Sequence, residues 1–195
     1  MKWMIASDLH GSAYYTKALL DRFAEEKADR LLLLGDLLYH GPRNDLPRDY
    51  NPKEVLAMLN ASKERLLCVR GNCDSEVDQM VLHFPILADY AALALDTTLV
   101  FATHGHIFHE ENLPPLCPGD ILLYGHTHVP LCRPRGAVTC LNPGSVSIPK
   151  EQSPHSYMTL SGGEFLWWDL CAEKKTPYLR FSPGKQNAGE GGCMA

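Results

Sequence analysis

Apolar runs of strand length, alternating with stretches of helical spacing, constrain the fold of this chain more than any other feature. The runs "KWMIAS", "RLLLLG" and "RLLCVRG" predict three buried strands. Helical spacing follows each run, over Ser12 to Lys27, Pro52 to Ala61 and near Ser75 to His83. Pro52 suits a first helical turn, because its missing N–H has no partner there. This βαβαβ order predicts a largely parallel sheet covered by helices.

The pattern changes after Phe84, where strand-like runs follow one another with little helix between them. These runs are "ILADYAALAL", "TTLVFAT", "DILLYG", "PLCRP", "AVTCLNP", "SYMTL" and "EFLWWDL". They predict a second, more antiparallel sheet packed against the first. Residues 1–182 are expected to form a single domain, and the Gly-rich, polar residues 183–195 a flexible C-terminal tail.

Charge and hydropathy exclude some classes of function. The 195 residues carry a net charge of −5, so no basic excess favours stable nucleic-acid binding. The opening "MKWMIASDLHG" lacks the apolar core of a signal peptide, and no apolar run is long enough to span a membrane. We therefore expect a cytoplasmic protein without a membrane partner.

The cysteines do not predict a structural metal site. Their number, seven, is odd, and no two form a C-x-x-C pair, which argues against a disulfide framework or a zinc ribbon. We expect most of them to be small buried hydrophobic residues.

Five apolar runs each end in residues that can bind a metal ion. They are followed by Asp8 and His10, by Asp36, by Asn72, by His104, and by His126 and His128. In open α/β folds ligands bind beyond the carboxyl ends of the strands, so these side chains can converge in space. Any one of them would more often be a cap or turn former, but their joint occurrence predicts a metal centre. Glycines at positions 35, 71, 105 and 125 would allow the close backbone approach that such a centre needs.

The chain resembles a known family in an ordered set of short blocks. "DLH", "GD", "GNCD", "THGH" and "GHTH" resemble the signature blocks of the calcineurin-like metallophosphoesterases. The longer strings "HGPRN", "VRGNCDSEVDQM", "HFPI", "ENLP" and "NPGSVSIPK" resemble its branch of small bacterial YfcE-type phosphodiesterases, which also includes the small retromer subunit. The resemblance is strong from Met1 to about Lys150 and weak beyond.

The resemblance implies an α/β fold, a four-layer αββα sandwich with two mixed β-sheets flanked by helices, and two divalent metal ions per chain. It implies that one ion is held by Asp8, His10, Asp36 and His128, and the other by Asp36, Asn72, His104 and His126. Asp36 would bridge, which suits a carboxylate with two oxygens. Mn²⁺ is the expected metal from the resemblance, since these ligand types also suit Ni²⁺, Fe²⁺ or Zn²⁺.

The activity that the resemblance implies is hydrolysis of a small phosphodiester by a metal-bridging hydroxide, with Asp36, Asn72 and His104 as catalytic residues. Two cations can activate such a water and neutralise charge on the phosphoryl oxygens. Two alternatives stay open: a protein-binding scaffold of the retromer small-subunit type with little or no catalysis, and a mononuclear metal hydrolase of an amide or ester. Because all seven expected ligand positions are filled, an enzyme is favoured over a scaffold.

One departure from the family concerns the proton donor. Many members carry a histidine directly after the ligand asparagine, where this chain has Cys73. We therefore expect a preference for esters whose leaving group needs little protonation. Asp74 could either cap a helix or orient a neighbouring ligand.

Further residues are candidates for contact with substrate or with a second copy. The candidate substrate contacts are His40, Arg43, Cys73 and His106. The string "HFPI" and the pair Trp167–Trp168, which we expect to cover an edge of the core, could supply an apolar contact for a homo-oligomer. "NPGS", from Asn142 to Ser145, predicts a type II turn.

Overall fold

The protein, described here by a computed structural model over residues 1–183, contains two β-sheets packed face to face. Its strands are β1 (Trp3–Ala6), β2 (Arg30–Leu33), β3 (Leu66–Cys68), β4 (Ala91–Leu95), β5 (Thr98–Ala102), β6 (Ile121–Leu123), β7 (Pro130–Arg135), β8 (Val138–Pro143), β9 (Ser156–Ser161), β10 (Glu164–Asp169) and β11 (Leu179–Phe181). The first sheet has the order β11-β10-β9-β1-β2-β3 and the second β4-β5-β6-β8-β7. The predicted pair of mixed sheets is confirmed.

The three helices begin at capping residues visible in the sequence. They are α1 (Ala13–Glu25), α2 (Pro52–Ala61) and α3 (Glu76–Val81). The side chains of Ser12, Asn51 and Ser75 each accept a backbone N–H bond at the start of their helix. All three predicted helices are therefore confirmed, with ends close to those expected.

Alternating side chains of the first sheet pack into two hydrophobic cores, one beneath the helices and one between the sheets. In β1 and β2, Met4 and Leu31 pack against α1 and α2, while their neighbours Ile5 and Leu32 face the second sheet. The core between the sheets also takes Val100 and other residues from the second sheet. This two-faced burial explains why the strands are continuous apolar runs rather than alternating ones.

The outer face of the second sheet is covered by loop. Its buried residues Leu122, Tyr124 and Cys140 pack against Leu116, which lies in the connection between β5 and β6. The buried residues of α1 and α2 pack against the first sheet. Within residues 1–183 no helix follows β4 in the chain.

The prediction of a second sheet after Phe84 is confirmed for β4 to β8, but it is wrong for the last three strands and for the more antiparallel character of that sheet. Strands β9, β10 and β11 return to the first sheet, where β9 pairs antiparallel with β1 and places Met158 opposite Ile5. The second sheet, in turn, contains parallel pairs, β5 with β6 and β6 with β8. Strand partners depend on contacts far apart in the sequence, which the local pattern does not carry. The short strand β11 was not predicted.

Several expected surface features lie in the core instead. Phe84 and Ile86 of "HFPI" are buried, and Trp167 is buried between the sheets rather than at an edge of the core, so these three side chains offer no apolar surface for a second copy. Trp168 is half-buried and packs against the core beneath the helices, as expected for the edge of a core. The prediction that most cysteines are buried is also wrong, since only Cys68 and Cys140 are buried among the cysteines of residues 1–183.

Two further predictions bear on the ends of the chain and on membranes. The predicted tail, residues 183–195, lies outside the described residues apart from Pro183. Within the described part of the chain, no helix combines the length and apolarity that a membrane span requires.

Candidate metal centre

Strand ends from both sheets bring seven predicted ligand side chains to one place. The parallel strands β1, β2 and β3 end beside the parallel strands β5 and β6. The residues that follow these ends are Asp8, His10, Asp36, Asn72, His104, His126 and His128. Their side chains form two overlapping groups joined by distances of 3.0 to 3.6 Å.

Five of these seven residues have left-handed backbone conformations, although none is glycine. They are Asp8, His10, Asp36, His126 and His128, with φ between 46° and 65°. Such a conformation costs roughly 1–3 kcal/mol for each residue, and it persists only where surrounding contacts hold it. Here the left-handed conformation turns side chains two positions apart, in the loops after β1 and β6, toward a common centre.

Two glycines permit the loops to approach. A Cβ atom on Gly71 would overlap Oδ1 of Asp36, and one on Gly125 would overlap the hydroxyl of Ser7 and lie 3.0 Å from Oδ2 of Asp8. These positions therefore need glycine for close packing, as the sequence indicated.

The first group surrounds Asp8. Its Oδ1 lies 3.2 Å from Nε2 of His128 and 3.6 Å from Nε2 of His10, and the two Nε2 atoms are 3.4 Å apart. Oδ1 of Asp8 is buried without a hydrogen-bond partner. A buried carboxylate oxygen without a partner is costly, and a cation between these three atoms would satisfy it.

The second group surrounds Asp36. Its Oδ2 lies 3.4 Å from Nε2 of His104 and 3.6 Å from Nε2 of His10. Nε2 of His104 lies 3.0 Å from Oδ1 of Asn72 and 3.2 Å from Nδ1 of His126. One oxygen of Asp36 thus faces a histidine of each group, which is the position that a bridging ligand must occupy.

Backbone carbonyls fix the histidine rings. Nδ1–H of His10 donates to the Tyr39 carbonyl at 2.8 Å, and that of His104 to the Leu34 carbonyl at 2.7 Å. His128 makes the same bond to the Ile148 carbonyl at 2.8 Å. Each bond holds the Nδ1 proton on the carbonyl side, so that Nε2 faces the centre and offers a lone pair when the ring is neutral, as in metal-ligating histidines.

The two histidines of the second group have opposite pKa shifts. Burial lowers the pKa of His104, but the Asp36 carboxylate and the charge of Asp8 outweigh it and raise that pKa to about 9. Burial, together with the neighbouring His104, lowers the pKa of His126 to about 4. At neutral pH the metal-free protein therefore has a positively charged His104 and a neutral His126.

Asp74 positions the backbone at Asp36. Its Oδ2 accepts the N–H groups of Asp36 and Gly71, both at 2.8 Å, and its Oδ1 accepts that of Leu37 at 2.9 Å. Ser75, not Asp74, caps α3. Asp74 therefore does not cap the helix but orients the neighbouring candidate ligand, Asp36.

The "NPGS" turn supports the centre in a way that sequence reasoning missed. Gly144 has φ of 80°, as a type II turn requires at its third position. The Asn142 amide donates to the Gly125 carbonyl at 2.7 Å, beside His126. The Ser145 hydroxyl donates to the Asp8 carbonyl at 3.0 Å. Its local signal indicated only a turn, because these bonds go to loops distant in sequence.

A cavity of about 320 Å³ opens over the centre. It is lined by five of the seven predicted ligands, namely His10, Asp36, Asn72, His126 and His128. The remaining lining residues are Gly41, Pro42, Arg43, Asn44, Cys73 and Lys150. Asp8 and His104 lie fully buried beneath it.

The candidate substrate contacts divide into two pairs. Arg43 and Cys73 line the cavity, whereas His40 and His106 do not. His40 instead lies with its ring 4.8 Å from that of Tyr39, and His106 is exposed, with its ring 5.4 Å from that of His104. Sequence reasoning missed Lys150, because no local signal links this lysine to the loops of the centre.

A two-sheet sandwich with carboxylate, amide and imidazole groups at its strand ends is the architecture of a metal-binding phosphoesterase. The family model described as the calcineurin-like phosphoesterase superfamily domain matches residues 1–163. The chain belongs to this superfamily.

Individual relatives agree with this assignment. The chain is 53% identical over 157 residues to phosphodiesterase YfcE of Escherichia coli strain K12, covering 80% of this chain and 85% of that protein. It is 23% identical over 172 residues to the probable metallophosphoesterase YsnB of Bacillus subtilis strain 168, covering 83% of this chain and 84% of that protein.

Solved structures resemble the fold. The structure of E. coli YfcE, described as a phosphoesterase, matches with a TM-score of 0.89 and 46% identity over 94% of this chain and 100% of that one. Vacuolar protein sorting 29 from Cryptosporidium parvum matches with a TM-score of 0.59 and 21% identity, over 93% and 97% of the two chains. At that identity the second match concerns the fold alone.

Proposed function

We propose that this protein is a metal-dependent phosphodiesterase with a dinuclear centre. The observation that carries the proposal is the position of Oδ2 of Asp36. This oxygen lies 3.4 Å from Nε2 of His104 and 3.6 Å from Nε2 of His10, between the two groups of ligands. The identity of 53% to a protein named as a phosphodiesterase supports the choice of substrate.

The donor atoms fit two divalent cations. One ion would be held by Asp8, His10, Asp36 and His128, and the other by Asp36, Asn72, His104 and His126. Mixed oxygen and nitrogen donors without thiolate suit Mn²⁺, and also Fe²⁺, Ni²⁺ or Zn²⁺. Such a pair of cations, when bound, activates water and neutralises charge on a phosphoryl group.

The residues of the chain supply positioning and binding. Asp74 and the carbonyls behind the histidines hold the ligand atoms in place before substrate arrives, which lowers the cost of reorganisation during the reaction. Arg43 and Lys150 place positive charge on an exposed part of the cavity lining, where it attracts an anionic phosphodiester. These roles suit a small phosphodiester rather than a neutral ester.

The substitution Asp36→Asn tests the proposal. It preserves the size of the side chain and an acceptor for the Cys73 N–H, which now bonds to Oδ1 at 2.8 Å, but removes the bridging charge. Residues that merely orient ligands contribute about 10- to 100-fold, so removal of a bridging ligand should lower turnover by more than about 100-fold. The measurement is hydrolysis of an aryl phosphodiester and of the matching monoester by metal-stripped protein titrated with Mn²⁺.

A matched control is Asp45→Asn, which changes an exposed aspartate of the same loop that does not line the cavity. This variant should keep full diester turnover. Diester hydrolysis without added metal, or retained by Asp36→Asn, would contradict the proposal.

Two other functions predict different results. A scaffold of the retromer small-subunit type predicts a folded protein that turns over no diester with Mn²⁺, Ni²⁺ or Zn²⁺. A mononuclear hydrolase predicts one bound metal per chain at saturation. Two metals per chain, measured by equilibrium dialysis, together with diester turnover, would distinguish the dinuclear phosphodiesterase from both.

A further inference from the structure

Lys150 is an exposed cation on the cavity lining that neither group of ligands uses. Other cations form the ion pairs found between side chains of residues 1–183, such as Lys2 with Glu26 and Arg133 with Glu110. Glu151 follows Lys150 directly but forms no ion pair with it in this part of the chain. The ammonium group of Lys150 is therefore available to a ligand.

A strained turn holds the backbone of Lys150. The Ser153 N–H donates to the Lys150 carbonyl at 3.0 Å, which closes a β-turn from Lys150 to Ser153. Its central residues, Glu151 and Gln152, have φ of 54° and 58°. Turns with two left-handed central residues usually contain Gly, Asn or Asp, so these longer side chains cost conformational free energy.

The same segment is bonded to a predicted ligand. The Lys150 N–H donates to the His128 carbonyl at 3.2 Å, while the Ile148 carbonyl accepts Nδ1–H of His128 at 2.8 Å. Pro149, with its restricted φ, lies between these two contacts. The root of the Lys150 side chain therefore has a set position relative to the centre.

Arg43 lies next to a different part of the centre. The Asn44 N–H donates to the Gly41 carbonyl at 3.4 Å, which closes a turn that contains Arg43. A Cβ atom on Gly41 would lie 3.4 Å from Sγ of Cys73, so the Arg43 turn adjoins Cys73 while Lys150 adjoins His128. A phosphodiester linkage carries one negative charge and has two ester arms that leave phosphorus in different directions. Arg43 alone can pair with the single charge of the linkage, which leaves the ammonium group of Lys150, beside the other group of ligands, for a further anionic group on one ester arm.

We infer that Lys150 binds a second phosphate group on one ester arm of the substrate. The substrate class is then a phosphodiester in which one esterified group, such as a nucleoside, carries a further phosphate. Lys150 is a specificity-determining residue within the proposed phosphodiesterase function, on which this inference rests. The charged ammonium donates hydrogen bonds to the second phosphate, and no bond to that phosphate forms or breaks in the reaction.

Two matched substrates test the inference, namely thymidine 5′-(4-nitrophenyl phosphate) and the same ester with a 3′-phosphate. The wild-type protein with Mn²⁺ should show a higher kcat/KM for the 3′-phosphorylated ester. In Lys150→Gln this preference should fall about tenfold, the size expected from one charge-assisted hydrogen bond. Lys150→Arg should restore most of it, and 0.5 M salt should weaken it in the wild type.

The control variant is Lys63→Gln. Lys63 precedes β3, at the opposite end of the strand from Asn72, and should leave the preference unchanged. If Lys150→Gln leaves the ratio of the two kcat/KM values unchanged, whether or not both values fall, the inference is overturned. Turnover of the plain ester would still support the proposed function. If neither ester is hydrolysed, the proposed function fails. Binding of thymidine 3′,5′-bisphosphate, measured by calorimetry, then decides the inference, because equal affinity in wild type and Lys150→Gln would contradict it.

Discussion

Strained residues at the centre are held by hydrogen bonds from their neighbours. The Asp8 carbonyl accepts the hydroxyls of Ser145 and Ser147 at 3.0 and 2.9 Å, and the N–H of His10 donates to the Asp36 carbonyl at 2.9 Å. Each such bond contributes about 0.5–1.5 kcal/mol, which is comparable to the cost of a left-handed residue. The side chains of the candidate centre are therefore positioned by buried polar contacts of the chain itself.

Cys73 leads to a prediction about the leaving group. Burial, with the negative charge of Asp36, raises the pKa of its thiol to about 12. At neutral pH the thiol is protonated but too weakly acidic to protonate a leaving alkoxide efficiently. The wild-type protein should hydrolyse aryl phosphodiesters much faster than alkyl phosphodiesters. Cys73→His, which introduces a stronger acid in the cavity, should raise the alkyl rate by about 10²-fold.

The measurement is kcat for the two classes of ester at pH 7 with saturating Mn²⁺. Cys73→Ser is the matched control, since it changes the thiol without introducing a group that titrates near neutrality, and it should retain the preference for aryl esters. Comparable aryl and alkyl rates in the wild type would show that another group already donates the proton.

At the scale of elements, β10 connects the two sheets through one tryptophan. Trp167 is fully buried in the core between the sheets, and its Nε1–H donates to the Asn142 carbonyl of β8 at 2.7 Å. Trp168 faces the other way, is half-buried, and donates to the Thr159 hydroxyl at 2.9 Å. Adjacent tryptophans thus have different structural roles.

Trp167→Ala should therefore destabilise the protein far more than Trp168→Ala. Removal of a fully buried tryptophan costs about 3–5 kcal/mol, and it also removes the hydrogen bond that Trp167 donates to the Asn142 carbonyl. Urea unfolding of the metal-free variants, compared at equal m-values, measures the difference. Equal losses for the two variants would mean that the packing between the sheets does not depend on β10.

The sequence predicts the elements better than their arrangement. Strands and helices were located because their apolar periodicity and capping residues, such as Ser12 and Asn51, are local. The place of β9 beside β1 was not predicted, since β9 is buried on both faces and its local pattern suits a central position in either sheet. The residues of the candidate centre could be brought together from the sequence because each follows a strand. The supporting residues Asp74 and Asn142 could not be assigned, because they bind backbone groups far away in the sequence.

At the scale of the whole molecule, the centre joins the two sheets. Asp8, Asp36 and their neighbours follow strands of the first sheet, whereas His104 and His126 follow strands of the second. Metal ions bound between these groups would cross-link the sheets at the edge where their strands end. Metal binding should therefore stabilise the folded protein as a whole.

The stabilisation by metal should depend on pH in a defined direction. His104 has a pKa raised to about 9 in the metal-free protein, so below that pH a metal ion must displace its proton. At a fixed Mn²⁺ concentration, the rise in Tm on adding metal should therefore grow as the pH increases from 6 toward 9. A site saturated at 100 times its Kd gains about 2.7 kcal/mol, which corresponds to a Tm increase of about 5–11 °C for a chain of this size.

Calorimetry at pH 7 in buffers of different ionisation enthalpy should detect proton release on Mn²⁺ binding, and His104→Asn should reduce the number of protons released. A Tm increase that stays constant between pH 6 and 9 would mean that no ligand is protonated before the metal binds.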